Sequence, residues 1–500
     1  MNAEEITPAQ RTLITAAVIL ATILSSIAST IANVILPQIR ASTAAAQDQV
    51  SWVLTSYLLA GVLVTPAIGW LESRFGRRNL MLATIVGFGV ASMLCGIASN
   101  IFAMVAFRVL QGGCGAIFIP MAQAILLDIN PPHKHGQAMS IWGMGAVLGP
   151  IIGPVLGGWL TDNLNWRWVF FMNLPLVVVA FFMIGAALPA ERSKVARKFD
   201  IFGYVALALG LAGLQALLDR GPGQEWFAST EIWIELSVCL LGLWVFVAHL
   251  ATTAHGALFD RRILTDRNFI VSSMMIIFVG ILLFAGAAVL PTLLQSLLGY
   301  PVLHTGIVQI PRGVGSFLAM FLVGRLMGRI DSRIIVLLGV GLTGWSYFEM
   351  SHFSLQMDER LVLFAGFLQG LGVGLVFVPL SALAFATIAP TLRTEAASLF
   401  TLLRNVGSSV GISMVGALQI YNSKIVQSRL LEQATPDNQN IVAAGVDLTT
   451  VQGLASFARG VVRQAAMVAY IDSFHLLYWL CILMAPLILL LRKPKAPADA

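Results

Sequence analysis

Charge is scarce in this chain of 500 residues. Asp, Glu, Lys and Arg together make up 11% of it, against about 25% in an average soluble protein. Cysteine is scarcer still. The four present, Cys95, Cys114, Cys239 and Cys481, sit inside apolar stretches, which argues for helix packing and against disulfides or thiolate metal centres. The seven histidines are scattered. No nucleophile–base set, no metal-spaced His/Cys cluster and no phosphate-cradling P-loop can be found. These absences speak against an enzyme, a bound metal or cofactor, and direct ATP drive.

Apolar side chains take up the room instead, at 58% of the chain. A soluble fold has too little interior to hide that much, whereas lipid solvates it directly. The expectation is therefore an all-α integral membrane protein. The polar start, Met1 to Gln10, carries Glu4 and Glu5 and no small-residue cleavage site follows the first apolar stretch. Residues 12–35 thus read as a retained helix and not as a signal peptide.

A helix needs about 20 mostly apolar residues to cross a hydrocarbon core. Stretches of that kind fall at 12–35, 50–71, 79–99, 102–127, 137–160, 168–190, 201–219, 232–252, 269–292, 304–328, 333–352, 360–388, 396–420 and 467–491. They predict 14 transmembrane helices. With the amino terminus inside, most basic residues fall on the cytoplasmic side, among them Arg74, Arg77, Arg78, Lys134, Arg261, Arg329, Arg393 and Arg492. Few fall outside, and Arg108, Arg312 and Arg404 lie within helices. That bias satisfies the positive-inside rule with both termini cytoplasmic. The net charge of +6 is then a topology signal, and no nucleic-acid partner is expected.

The chain also repeats itself. Gly69, Leu71, Arg74 and Arg78 recur 255 residues later as Gly324, Leu326, Arg329 and Arg333. Leu110-Gln111-Gly112 recurs as Leu368-Gln369-Gly370, and Gly149 with Gly153 as Gly407 with Gly411, both offset by 258. This pattern predicts a duplicated six-helix unit of parallel topology. The expected units are residues 1–190, a linker of 191–265 with two inserted helices, and 266–500, with a long outer loop at 421–466. Such halves suit a rocking transporter whose site lies between them.

Three motifs bear on mechanism. The turn Gly69-Trp-Leu-Glu-Ser-Arg74-Phe-Gly-Arg77-Arg78 places arginines where Asp128, ending the fourth helix, can pair with them as a cytoplasmic latch. Membrane anchoring is the plainer reading. Arg108 is a charge inside a membrane helix, which by default faces a cavity; snorkelling to the outer interface is the alternative. Gly145, Gly149, Pro150, Gly153, Pro154, Gly157 and Gly158 line a fifth helix with small residues, suited to close helix approach and bending.

These residues resemble the Major Facilitator Superfamily, specifically its fourteen-helix drug:proton antiporter branch of the EmrB/QacA type. The turn 69–78 is similar to the superfamily's motif A, Arg108 to Gly112 to motif B, and 145–158 to the antiporter motif C. Thr30-Ile-Ala-Asn33, Trp166 to Pro175, Pro291 to Gln295, Arg404-Asn405-Val-Gly407 and Gln464 to Phe474 extend the likeness along nearly the whole chain. The resemblance implies two six-helix bundles plus two helices in a bacterial inner membrane. It implies export of amphipathic or lipophilic small molecules, by proton antiport, through alternating access. It further implies that the 421–466 loop helps dock a periplasmic EmrA-like adaptor linked to an outer-membrane channel; a disordered or amphipathic surface loop is the equal alternative.

Two departures stand out. Ala28 occupies the helix 1 position where the family usually has an aspartate, and Ser73 replaces motif A's acidic residue. Proton sites are therefore sought elsewhere, at Glu349 beside His352, or at Asp472 beside His475; interface exposure or solvation is the plainer reading. Ser26, Thr30 and Asn33 share one face of helix 1. With Gln111, Gln123, Gln295, Gln309 and Gln369 they form the expected substrate cavity, although helix–helix contact explains each equally well. An uncoupled facilitator or importer, or a non-transporting scaffold or sensor, remains the alternative.

Overall fold

The computed structural model describes residues 7–131, 134–189, 198–224, 226–253, 257–432 and 450–492, with their side chains except at positions 33, 34, 47, 48, 51, 154, 302 and 303. The basic start of the expected 191–265 linker, 191–197, and the centre of the outer loop, 433–449, lie outside this set, as does the side chain of Asn33.

Nearly every described segment is helical. Helix α1 (Pro8–Thr43) is followed by α2 (Gln47–Val64), which passes through a 3-10 turn at Thr65–Ala67 into α3 (Ile68–Phe75). Next come α4 (Arg77–Ile97), α5 (Ile101–Gly115), α6 (Phe118–Ile129), α7 (His135–Asn163), α8 (Trp168–Phe171) and α9 (Asn173–Ala187). The middle of the chain forms α10 (Ile201–Arg220), α11 (Thr230–Thr252) and α12 (Arg261–Thr265). The remainder forms α13 (Arg267–Thr292), α14 (Val302–Val308), α15 (Ile310–Leu326), α16 (Ser332–Met350), α17 (Glu359–Phe385), α18 (Arg393–Glu432) and α19 (Val451–Met484). Side-chain caps set many starts: Asp200, Asp266, Asp331 and Asp358 each accept a backbone N–H of the first turn, satisfying donors the helix itself cannot.

Among the described residues, 12 helices are long and apolar enough to cross a membrane, against fourteen expected. The two other expected stretches are helical but more polar. Helix α16 carries Arg333 and Glu349 near its ends, and α18 carries Arg404, Asn405, Ser408, Ser409 and Ser413 along its length. At the flanks of the expected outer loop, α18 continues helically to Glu432 and α19 begins at Val451.

The repeat is visible as packing. Helix α1 lies along α7 and α2 along α5; in the second half α13 lies along α18 and α15 along α17. Gly112 shows why glycine is needed at one such crossing. A Cβ there would fall 2.1 Å from the carbonyl oxygen of Tyr57, and one at its repeat partner Gly370 would fall 1.8 Å from that of Arg312. Inserted helix α10 packs on α2 and α18 as well as on α11. Ser409 donates to Gln215 Oε1 at 2.8 Å and Ser413 to the Leu218 carbonyl at 2.7 Å, while Tyr204 donates to the Leu63 carbonyl at 3.1 Å. The insertion thus bridges both halves along one side.

Candidate functional site: an inter-half lock and buried arginines

One end of the bundle is closed by an ionic bridge between the halves. Asp128, at the end of α6, meets Arg77 of the basic turn at 2.6 Å and Arg393, opening α18, also at 2.6 Å. Arg393 donates as well to the Leu127 carbonyl at 3.1 Å. The carboxylate is 7% exposed and each arginine 13%, so water screens the bridge little. Glu72 also pairs with Arg77. Gly76, at φ 75°, turns the chain between α3 and α4 in a conformation that favours glycine. Arg78 reaches back to the Gly185 carbonyl at 2.8 Å, and Arg74 lies over the Trp70 ring at 5.7 Å. Gly69 lies against the side chain of Glu395, whose carboxylate accepts the Asp260 N–H at 3.2 Å.

Helix α7 makes the seam. Its glycines face α1: a Cβ at Gly149 would fall 2.4 Å from that of Ser26, one at Gly153 2.8 Å from Thr30 Oγ1, and one at Gly157 2.6 Å from Ile31 Cγ1. Gly158 faces open space. The opposite edge of α7 meets α15 of the second half, where Ile151 packs on Gly313 and Gly143 on Met320. The small-residue face therefore seals a contact within the first half, and its larger neighbours make the contact between halves. Ser26 and Thr30 fall into the α1–α7 seam, with the Thr30 hydroxyl donating to the Ser26 carbonyl at 3.0 Å.

Arg108 is 1% exposed and neither snorkels nor meets a carboxylate. Its Nε donates to the Val53 carbonyl at 3.0 Å and both terminal nitrogens reach the Ala28 carbonyl at 3.3 Å. Gln111 Oε1 accepts at 2.6 Å, and Gln111 in turn donates to Ser92 at 2.6 Å. The Tyr57 ring lies 4.3 Å beneath the guanidinium. The helix 1 position lacking an acid thus offers its backbone oxygen to the arginine.

This geometry fits a duplicated helical transporter, and comparison with known proteins decides the matter. The family model described as Major Facilitator Superfamily matches residues 18–412. The chain belongs to the Major Facilitator Superfamily. Similar relatives include the Multidrug export protein EmrB of Escherichia coli strain K12, 29% identical over 97% of this chain and 96% of the relative. That of Haemophilus influenzae is 33% identical over 85% and 84%. The Fatty acid resistance protein FarB of Neisseria gonorrhoeae is 30% identical over 92% of each. In fold, the chain is similar to the human organic anion transporter MFSD10, at TM-score 0.61 and 16% identity, covering 95% of this chain and 100% of the other. The proton:xylose symporter XylE matches at TM-score 0.61 and 12% identity over 94% and 95%.

Within this Major Facilitator chain, the second half answers Arg108 with a different residue. The repeat offsets of 255 and 258 pair Tyr57 with Arg312, Ser92 with Tyr347, Gln111 with Gln369, and Ala28 with Gly286. Arg312 donates to the Leu283 carbonyl at 2.9 Å, Tyr347 donates to the Leu282 carbonyl, and Gln369 is buried beside Tyr347 behind Gly286. Each half thus holds one guanidinium on backbone oxygens of its first helix. In the first half it comes from the fourth helix of the unit, in the second from the second.

The other expected site residues scatter. Gln123 is buried on α6 with its Oε1 unpartnered. Gln295 is exposed in the π-turn Leu293–Leu297 that follows α13, and Gln309 is half-buried with its amide near the Thr305 carbonyl. Glu349 accepts from Trp345 Nε1 at 2.9 Å beside exposed His352. Asp472 accepts from Asn422 at 2.8 Å, and His475 is exposed. Among the described residues no group of three His, Cys, Asp or Glu could hold a metal. Arg393, Glu72, Glu395 and Arg312 are the residues that sequence reasoning did not assign to the site. Arg393 opens a helix after a loop, but nothing near it in sequence names Asp128 as its partner.

Proposed function

We propose that this protein is a multidrug-type efflux transporter of the bacterial inner membrane. It exports amphipathic or lipophilic small molecules by proton antiport, through alternating access of two six-helix halves. Helices α16 and α18 join the twelve more apolar ones in a fourteen-span topology with both termini cytoplasmic. The halves are 1–190 and 266–500, joined by 191–265. One observation carries the reading: the inter-half bridge of Asp128 with Arg393 closes the cytoplasmic end, so its opening and closing alternates access. The glycine face of α7 against α1 supports export, since a tight, leak-proof helix is needed where a gradient is opposed. The relatives' names as multidrug export proteins support the substrate range. The partners on this reading are an adaptor, which docks on the helical flanks of the expected outer loop at 421–432 and 451–461, and an outer-membrane channel.

A second reading, a proton-uncoupled facilitator or importer, has one observation behind it. Ala28 supplies no carboxyl, and its carbonyl is taken by Arg108. The test uses inside-out vesicles with an acid lumen and a pH-reporting dye, challenged with lipophilic cations, weak acids and fatty acids. Proton release that a compound triggers, and that Asp128→Asn abolishes, is the expected result. Labelled compound crossing without proton movement refutes antiport and selects the facilitator.

A further inference from the structure

We propose that Arg404 binds the anionic head group of the exported molecule, making this a transporter of amphipathic anions and not of lipophilic cations. The proposal rests on the export reading above and narrows it.

Position comes first. Arg404 lies eleven residues beyond Arg393 on the unbroken helix α18, about 16 Å further at 1.5 Å per residue. That is near the middle of a hydrocarbon core of about 30 Å. A charge there is costly and calls for a partner. Arg108 and Arg312 have theirs, in the carbonyls of Ala28, Val53 and Leu283. Arg404 does not. Its described hydrogen bond is a long one to Asn405 Oδ1, at 3.4 Å, and its Nε is buried without a partner. No carboxylate lies within salt-bridge reach among the described residues. The residue as a whole is half-buried.

The surroundings supply the rest of a site. The Phe377 ring stands 5.9 Å from the guanidinium and stacks on Trp142 with centroids 5.9 Å apart and planes 28° from parallel. Phe377 belongs to the second half and Trp142 to the first. Trp142 is 1% exposed and donates its indole N–H to Thr22 at 3.1 Å, which holds the ring in place. Met320 packs beside it at Gly143. A cation with a free donor therefore borders an aromatic and thioether seam built by both halves. A carboxylate, sulfate or sulfonate on an apolar body satisfies both parts: the fork donates to two oxygens, and the seam takes the body. A lipophilic cation fits the seam but meets repulsion at Arg404, with no carboxylate to offset it.

The test compares decyl sulfate with decyltrimethylammonium, which share a tail and carry fixed opposite charges. Radiolabelled forms are supplied to energised inside-out vesicles below lytic concentration. The expected result is accumulation of decyl sulfate at least roughly tenfold over the ammonium, the scale of one charge-assisted contact. Arg404→Gln removes this preference through a raised KM, Arg404→Lys restores part of it, and Phe377→Leu weakens transport while keeping the preference. Membrane abundance and thermal unfolding of each variant report folding. Equal or better transport of the ammonium ion, or undiminished decyl sulfate preference in a folded Arg404→Gln protein, overturns the Arg404 assignment and leaves export standing. Accumulation of neither ion, with the vesicles energised, overturns the export reading and the proposal with it.

Discussion

Replacing Asp128 by asparagine should open the end of the bundle where α6 meets α18. The carboxylate accepts from Arg77 and from Arg393 at 2.6 Å each, and both bonds are nearly dry. Hydrogen bonds to charged groups contribute about 1.5–3 kcal/mol. Only the bond to Arg393 spans the halves, so roughly that amount of closed-state preference is lost. At 1.4 kcal/mol per factor of ten, the closed-to-open ratio falls about ten- to hundredfold. The assay places spin labels at Phe75, which is 50% exposed, and at Thr391, which is also exposed, in a chain with its four native cysteines replaced. Pulsed electron resonance then reads the distance across this end. The short-distance population should shrink in Asp128→Asn and at least as much in Arg393→Gln, which also loses its bond to the Leu127 carbonyl. Combining the two should add little, because both remove the same contact. Arg77→Gln should shift the distances less, since that bond lies within one half. An unchanged distribution in both Asp128→Asn and Arg393→Gln would refute the lock.

Arg108→Gln should lower the thermal unfolding temperature, because buried oxygens left bare cost about 1–3 kcal/mol each; Arg108→Lys should recover only part, lacking the planar fork that spans Val53, Ala28 and Gln111. Gly149→Ala should impair transport by pushing α7 from Ser26, whereas Gly158→Ala should behave as wild type, since nothing lies within 4 Å of it; vesicle transport separates the two. Gly112→Ala and Gly370→Ala should both reduce folded protein severely, because the Cβ in each meets a backbone carbonyl that cannot swing aside; membrane abundance of the pair tests whether the duplicated crossings are equivalent.

Much of the architecture was legible because its signals are local. Apolar runs mark helices wherever the chain crosses lipid, and twelve of the fourteen expected stretches meet the requirement on composition alone. Helix α18 does not, because Arg404, Asn405 and its serines lower its hydropathy, and Ser409 and Ser413 serve helix α10 and not lipid. The candidate site was less legible. Ser26 and Thr30 do share a face of α1, but that face abuts the glycines of α7. Where lipid and protein are both apolar, a helix shows little amphipathic contrast, and the pattern does not tell which side faces inward.

By itself, the sequence determined a helical membrane class and the positions of twelve apolar helices, which follow from hydropathy along the chain; the sidedness and the duplicated unit are what its charge and spacing lead one to expect. It also put Asp128 and the arginines of 74–78 at the same end. Only the tertiary structure decided that Arg393, 265 residues away, completes that bridge, that Arg108 rests on the carbonyl of Ala28, and that Arg312 takes the corresponding role from another helix. A guanidinium can reach any carbonyl its helix is turned toward, and the turn is set by which helices pack together. That choice is made in space, between residues the chain keeps far apart.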